Sequence, residues 1–254
     1  MVSCRPTAPP GCRLEDCRHD GVRIWSFGLR VKPALSYKIR MTQNPAIRLY
    51  GDHLWISPYV FSSFVALREK GLAFDVVPLK LNEGEQRRSP FRDQSLTGKV
   101  PTLEHEGFWL AESSVVVEYL DETFPAPRYP RLLPGQLRQR ARARQVMAWL
   151  RSDLQALRDE RPTTTMFYQR ATTPLSAAGQ AAADKLLHVA DLLIAEGATS
   201  LFGPWCIADS ELALMLHRLI LNGHDVPPKI RHFAEVQWQR LSVREFVEHP
   251  RPPA

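Results

Sequence analysis

An α/β segment followed by an all-helical one is the architecture indicated by this 254-residue sequence. Strand-like and helix-like patterns alternate between residues 47 and 124. Four prolines (Pro125, Pro127, Pro130, Pro134) then crowd ten residues, and beyond them apolar side chains recur at helical spacing.

The elements follow in order. Ile47 to Tyr50 alternates and is rich in β-formers, so it reads as a strand broken by Gly51-Asp52-His53. Ser57-Pro58 supplies an N-cap and a proline at the first helical position. Val60, Phe64 and Leu67 then share one helix face, and Gly71 closes the helix. Phe74 to Leu79 is a second strand, and a βαβ unit this short requires its strands to be parallel. Glu83 to Leu96 is polar and irregular, with room for one short helix at most. Thr102 to His105, the Glu106-Gly107 turn and Phe108 to Leu110 form a hairpin. Ser113 to Phe124 is a helix facing inward through Val116, Tyr119 and Leu120. The expected order is βαβ, a short helix, then ββα over residues 45–125. A linker at 126–134 leads to helices over 135–250: a long one from Gln136 to Arg161, then Ser176 to Glu196, Asp209 to Leu221, 229–240 and 242–248.

Composition narrows the function classes. With 44% hydrophobic and 24% charged residues a packed core is attainable. No run of about 18 apolar residues exists, so no membrane span is expected. The net charge of +6 is concentrated in residues 1–40, where eight basic residues face three acidic ones. The body is near neutral, which argues against a broad nucleic-acid-binding face. Those forty residues show no sustained period and are expected to be disordered or to lie upstream of the true start at Met41; a redox-active or targeting tail is the alternative. Three of the four cysteines (Cys4, Cys12, Cys17) fall there, without C-x-x-C spacing, so no disulfide framework holds the body and a cytoplasmic location is expected. The histidines include no zinc-type spacing, and neither a nucleophile elbow nor a phosphate-binding loop occurs.

Four motifs occur in a fixed order: Ser57 opening the first helix, Val100-Pro101 before the hairpin, Glu112-Ser113 after it, and Trp205-Cys206-Ile207-Ala208-Asp209 opening a late helix. In this order and spacing the chain resembles the glutathione S-transferase family over roughly residues 45–248. The stretches Ser57 to Val60, Ala143 to Leu154 and Trp205 to Asp209 look like its bacterial YfcF-like subgroup. The resemblance implies a thioredoxin-like α/β domain followed by an all-α domain, and a homodimer. It also implies glutathione as a substrate, with no metal, and a small electrophile or peroxide as the second substrate. A non-catalytic interaction or stress-response module of the same fold is the alternative.

The resemblance also implies roles for particular residues. An X-Pro bond is the peptide bond for which cis is accessible, and a cis Val100-Pro101 would turn the Val100 backbone toward the tripeptide. Otherwise Pro101 simply opens an edge strand. Ser113, at a helix N-terminus, would hold the γ-glutamyl carboxylate and Glu112 its ammonium; capping by Ser113 is the plainer reading. Ser57 would donate to the glutathione sulfur. A free thiol near pKa 8.5 is only about 3% ionised at pH 7, and lowering it by about two units requires about 2.7 kcal/mol. A charged hydrogen bond contributes about 1.5–3 kcal/mol and a helix N-terminus about 0.3–2. Ser57 as a mere N-cap explains the same residues, and Tyr59 and Ser62 stand nearby as alternatives. Lys99 either neutralises the glycine carboxylate or is solvated. Arg151 and Arg158, seven apart on the long helix, either draw an anionic electrophile into a second-substrate site or form surface salt bridges. Trp55 and His53 either wall that site or pack in their loop. Cys206 stands where the family has Ser or Thr, with Asp209 completing a capping box.

Overall fold

A computed structural model describes residues 47–253; the expectations for residues 1–40 lie outside the described residues. The α/β part consists of β1 (Ile47–Asp52), α1 (Pro58–Glu69), β2 (Asp75–Leu79), α2 (Phe91–Gln94), β3 (Thr102–His105), β4 (Phe108–Ala111) and α3 (Ser113–Thr123). The helical part consists of α4 (Leu137–Ser152), α5 (Gln155–Glu160), α6 (Thr164–Phe167), α7 (Ala177–Leu193), α8 (Ile207–Ile220), α9 (Pro228–Trp238) and α10 (Leu241–Val247). The sheet order is β2-β1-β3-β4, with β1 and β2 parallel and the other neighbours antiparallel. This is the βαβ-ββα order read from the sequence.

Several local expectations need correction. Gly51 and Asp52 do not end the first strand; they pair with Pro78 and Leu79. The 83–96 stretch is more structured than one short helix, because 3₁₀ turns at Leu81–Glu83 and Glu85–Arg87 precede α2. The long helix from Gln136 to Arg161 is broken after Ser152. The Asp153 carboxylate accepts from Leu154 N at 2.7 Å, from Trp149 Nε1 at 2.9 Å, and from Lys185 on α7. Those three bonds, Lys185 foremost, hold its carboxyl down at about 2. Leu154 is thereby fixed at φ 61, a left-handed conformation costing about 1–2 kcal/mol for a residue with a Cβ. Its side chain is buried, which returns a comparable amount. A turn of four residues, α6, was not expected at all.

The proline-rich linker has no helix or strand, yet it is anchored. Leu132 and Leu133 are buried, Leu132 N donates to Asp121 Oδ1, and Leu132 O accepts from Ile207 N. The same Asp121 oxygen takes the fully buried Lys70 ammonium at 2.6 Å. The linker thus joins the C-terminal ends of α1 and α3 to the start of α8.

Two helices occupy the centre. Every residue of α1 from Val60 to Leu67 is buried, because α1 lies between α3 and the sheet on one side and α8 and α10 on the other. Every residue of α8 from Ile207 to Leu219 is buried too. Most polar side chains of a helix covered all round find partners within the protein. Asp209 accepts from Cys206 N and Leu201 N, completing the expected capping box, and Ser210 accepts from Trp205. Burial raises both the Cys206 thiol and, to about 6, the Asp209 carboxyl. His217 bonds through Nδ1 to Ala213 O at 2.8 Å and stacks on Trp238 with centroids 3.7 Å apart.

Burial holds the His217 imidazole neutral, lowering it to about 4. The unfolded chain protonates this side chain near 6.5 and the folded chain only near 4, so protons favour unfolding as pH falls through that window. Its contribution is complete above 6.5 and is expected to shrink by about 2 kcal/mol between pH 7 and pH 5. Urea unfolding of wild type and His217→Gln at both pH values checks this: the gap between them should narrow at pH 5.

Candidate functional site

The loop after β1 is built around a buried carboxylate. Asp52 Oδ2 accepts from Ile56 N at 2.8 Å and Oδ1 from Ser57 N at 3.1 Å. These bonds set Ser57 at the mouth of α1, where its Oγ accepts from Val60 N at 3.3 Å. The Ser57 hydroxyl proton has no acceptor among the described residues and is available to a ligand.

On the other side, the Val100–Pro101 bond is cis, as are Ser89–Pro90 and Ala126–Pro127. Thr102 Oγ1 donates to Lys99 O at 2.8 Å and contacts Ser95 Oγ at 2.9 Å, so the turn into β3 is held from within. Where β4 ends, Glu112 adopts φ 71 and swings the chain into α3. A residue with a Cβ in that region costs about 1–3 kcal/mol and marks places where geometry serves a purpose. Glu112, not Ser113, occupies the cap position, and no side chain caps α3. The expected capping by Ser113 is therefore absent. Ser113 Oγ instead accepts from Arg151, at 3.0 Å from Nη2 and 3.3 Å from Nε.

These pieces converge. Lys99, Val100, Pro101, Glu112 and Ser113 line one cavity of about 620 Å³, counting its open mouth, with Tyr59 and Arg151. The uncapped first-turn amides of α3 carry the positive end of its dipole. With exposed Lys99 beside them, they make the cavity suited to carboxylates; exposed Glu112 is the acidic group on its wall. Ser57 is half-buried and does not line this cavity, whereas its neighbour Tyr59 does.

A second cavity, of about 380 Å³ with its mouth, adjoins the first through Tyr59 and Arg151. Arg158, Glu211 and Arg218 line it, with Leu150, Leu214 and Met215. Arg151 is no surface residue. It forms a bidentate pair with Glu211, Nη1 at 2.5 Å and Nη2 at 2.7 Å, while Ser62 donates to the same carboxylate at 2.5 Å. Burial works against the Arg151 charge, but Glu211's field and hydrogen bonds outweigh it and raise the guanidinium. Arg158 does not share a helix with Arg151, since the chain breaks between them. It folds back and donates to Leu150 O at 2.9 Å and Arg151 O at 3.0 Å, satisfying carbonyls left open at the end of α4. Among the described residues Arg158 forms no salt bridge, and the one Arg151 forms, with Glu211, is largely buried rather than on the surface.

Trp55 lines neither of these two cavities and follows the alternative of packing beside its loop. It sits at φ 54, stacks on His249 with centroids 3.6 Å apart, and packs on Phe64 and Phe246. Its carbonyl accepts from Arg251, so the C-terminal segment claims it. Tyr59, weighed only as an alternative to Ser57, borders both cavities. Asp52, Glu211 and Arg218 were not singled out from sequence. The last two stand seven apart on a helix read only through its leucines, and that spacing was the available signal.

Comparison with known proteins follows the same outline. Residues 56–123 match the family described as glutathione S-transferase, N-terminal domain, and residues 136–250 match glutathione S-transferase, C-terminal domain. A glutathione transferase homolog from Burkholderia GL BGR1, solved with bound glutathione, is 42% identical; the match covers 80% of this chain and 96% of that one, with a TM-score of 0.66. Among curated proteins, glutathione transferase GST 23 of Zea mays is 38% identical over 36% of this chain and 39% of its own length. The maleylacetoacetate isomerase of Rattus norvegicus is 33% identical over 37% and 44%. The chain thus spans about two fifths of the length of these curated relatives.

Removing one partner of a buried ion pair costs about 3–5 kcal/mol, because the other charge is stranded. With Arg151 one-fifth exposed, Glu211→Ala is expected to destabilise by about 3 kcal/mol, at the low end of that range. An Arg151→Met, Glu211→Leu double variant should recover most of the loss. Urea unfolding of both variants measures it.

Proposed function

Because the chain belongs to the glutathione S-transferase family, we propose that it binds glutathione in the larger cavity and activates its thiol for attack on a small electrophile. The observation carrying this reading is that Lys99, Val100, Pro101, Glu112 and Ser113, dispersed over fifteen positions, line one cavity beneath an uncapped helix N-terminus. The Val100 backbone would pair with the tripeptide as an added strand. Ser113 and the first amides of α3 would hold the γ-glutamyl carboxylate, Glu112 the ammonium, and Lys99 the glycine carboxylate.

Ser57 is the proposed thiol-activating residue, as in serine-type members of the family. Its oxygen is occupied by Val60 N, which orients the free hydroxyl proton. Donation to the sulfur favours thiolate, which then forms the bond to the electrophilic carbon as the leaving group departs with its electron pair. With a peroxide as second substrate, two glutathione molecules would be oxidised to the disulfide, giving alcohol and water. Arg151 and Arg158 belong to the second-substrate site in this reading. Resemblance at Ser57 to Val60, Ala143 to Leu154 and Trp205 to Asp209 supports the YfcF-like subgroup, family membership supports a homodimer, and the scarcity of cysteines in the body supports a cytoplasmic setting. Among the described residues no helix is long and apolar enough to cross a membrane.

Tyr59, bordering both cavities, is the rival activator, and one experiment separates them. Ser57→Ala should raise the pKa of the bound thiol by about one unit, read as thiolate absorbance against pH. It should lower kcat/KM for chlorodinitrobenzene severalfold while leaving glutathione affinity within about threefold. The same pattern in Tyr59→Phe and not in Ser57→Ala would transfer the role to Tyr59. Retention on glutathione-agarose without turnover of chlorodinitrobenzene or cumene hydroperoxide would favour the non-catalytic module.

A further inference from the structure

We propose that the second cavity selects an electrophile bearing a carboxylate, gripped by Arg218 with Arg158 beside it; the proposal rests on the glutathione reading above and names the substrate class of that same site. Arg218 is only 3% exposed and forms no salt bridge among the described residues. Nη1 donates to Arg161 O at 2.6 Å, and this is its one hydrogen bond among the described residues. Nε is buried without any hydrogen-bond partner. A buried cation left unpaired is costly, and most such arginines are found paired. Here the unpaired group lies on the wall of a cavity.

The orientation narrows the ligand. With Nη1 occupied, the Nε and Nη2 edge is left, and its two parallel N–H groups match the two oxygens of a planar carboxylate. The charge balance agrees. Glu211, the acidic side chain on that wall, is committed to Arg151, which leaves Arg158 and Arg218 as two cations without an acidic partner among the described residues. Burial first, and the neighbouring Arg158 charge second, lower Arg218 to about 10, so it is still protonated at neutral pH. Leu150, Leu214 and Met215 complete the wall. The fitting molecule has a compact apolar body with an acid at one end. Because Tyr59 and Arg151 are shared with the larger cavity, that body would lie beside the bound glutathione.

The test is calorimetric titration of the full chain with 3,5-dinitrobenzoate and with its neutral methyl ester. The acid is expected to bind at least tenfold more tightly, and Arg218→Met should bring the acid-to-ester affinity ratio to within about threefold of unity. If circular dichroism shows that Arg218→Met does not fold, Arg158→Gln, on the more exposed side of the same wall, should lower the ratio at least threefold. Equal affinities in wild type, or a ratio unmoved in the folded variant, would overturn the proposal. Titrating the same wild-type sample with glutathione separates the two layers. Glutathione binding without acid preference sinks the carboxylate site alone; acid preference without glutathione binding sinks the transferase reading alone.

Discussion

The bidentate pair between Arg151 and Glu211 is the contact on which the arrangement turns. Arg151 comes from the end of α4 and Glu211 from the first turns of α8, yet the same guanidinium reaches Ser113 on α3, and the same carboxylate takes Ser62 from α1. Four helices from both parts of the fold therefore meet at one ion pair. Its arginine also borders both cavities. A neutral pair of similar shape would fill the space, but it would not hold Ser113 in register with the α3 N-terminus.

The helix starts are closed in different ways. α1 is capped by Ser57, α7 by Ser176, and α8 by the box of Cys206 and Asp209. α3, whose N-terminus opens into the larger cavity, has no side-chain cap and begins from a residue at positive φ. The short helices α2, α5, α6 and α10 and the proline-led α9 also lack a side-chain cap, so what sets α3 apart is that its open first turn borders a cavity.

Much of this was legible in the sequence, and the rest was hidden for identifiable reasons. The βαβ-ββα order, the Ser57 cap, the hairpin turn and the Cys206–Asp209 box are local patterns, set by residues within a few positions of one another. Leu154 was not legible: a left-handed leucine has no sequence signature, and what fixes it is a carboxylate anchored by Lys185, 32 positions away along the chain. The packing of Trp55 has a similar origin, since Arg251 and His249 come from the far end of the chain. Arg151 and Arg158 were found by spacing, but the geometry assumed one continuous helix. Glu211 and Arg218 were masked by the leucines around them, because a helix buried on every side gives no polar face to read.

The break at Asp153 carries an evolutionary implication. Lys185 is exposed and Asp153 partly so, and their bond helps to set where α4 stops and hence where Arg158 stands. Drift at Asp153 and Lys185 could reposition the lining of the second cavity without altering any side chain on its wall. Comparing pocket residues alone would then rank relatives that differ there as equivalent when their cavities had already diverged.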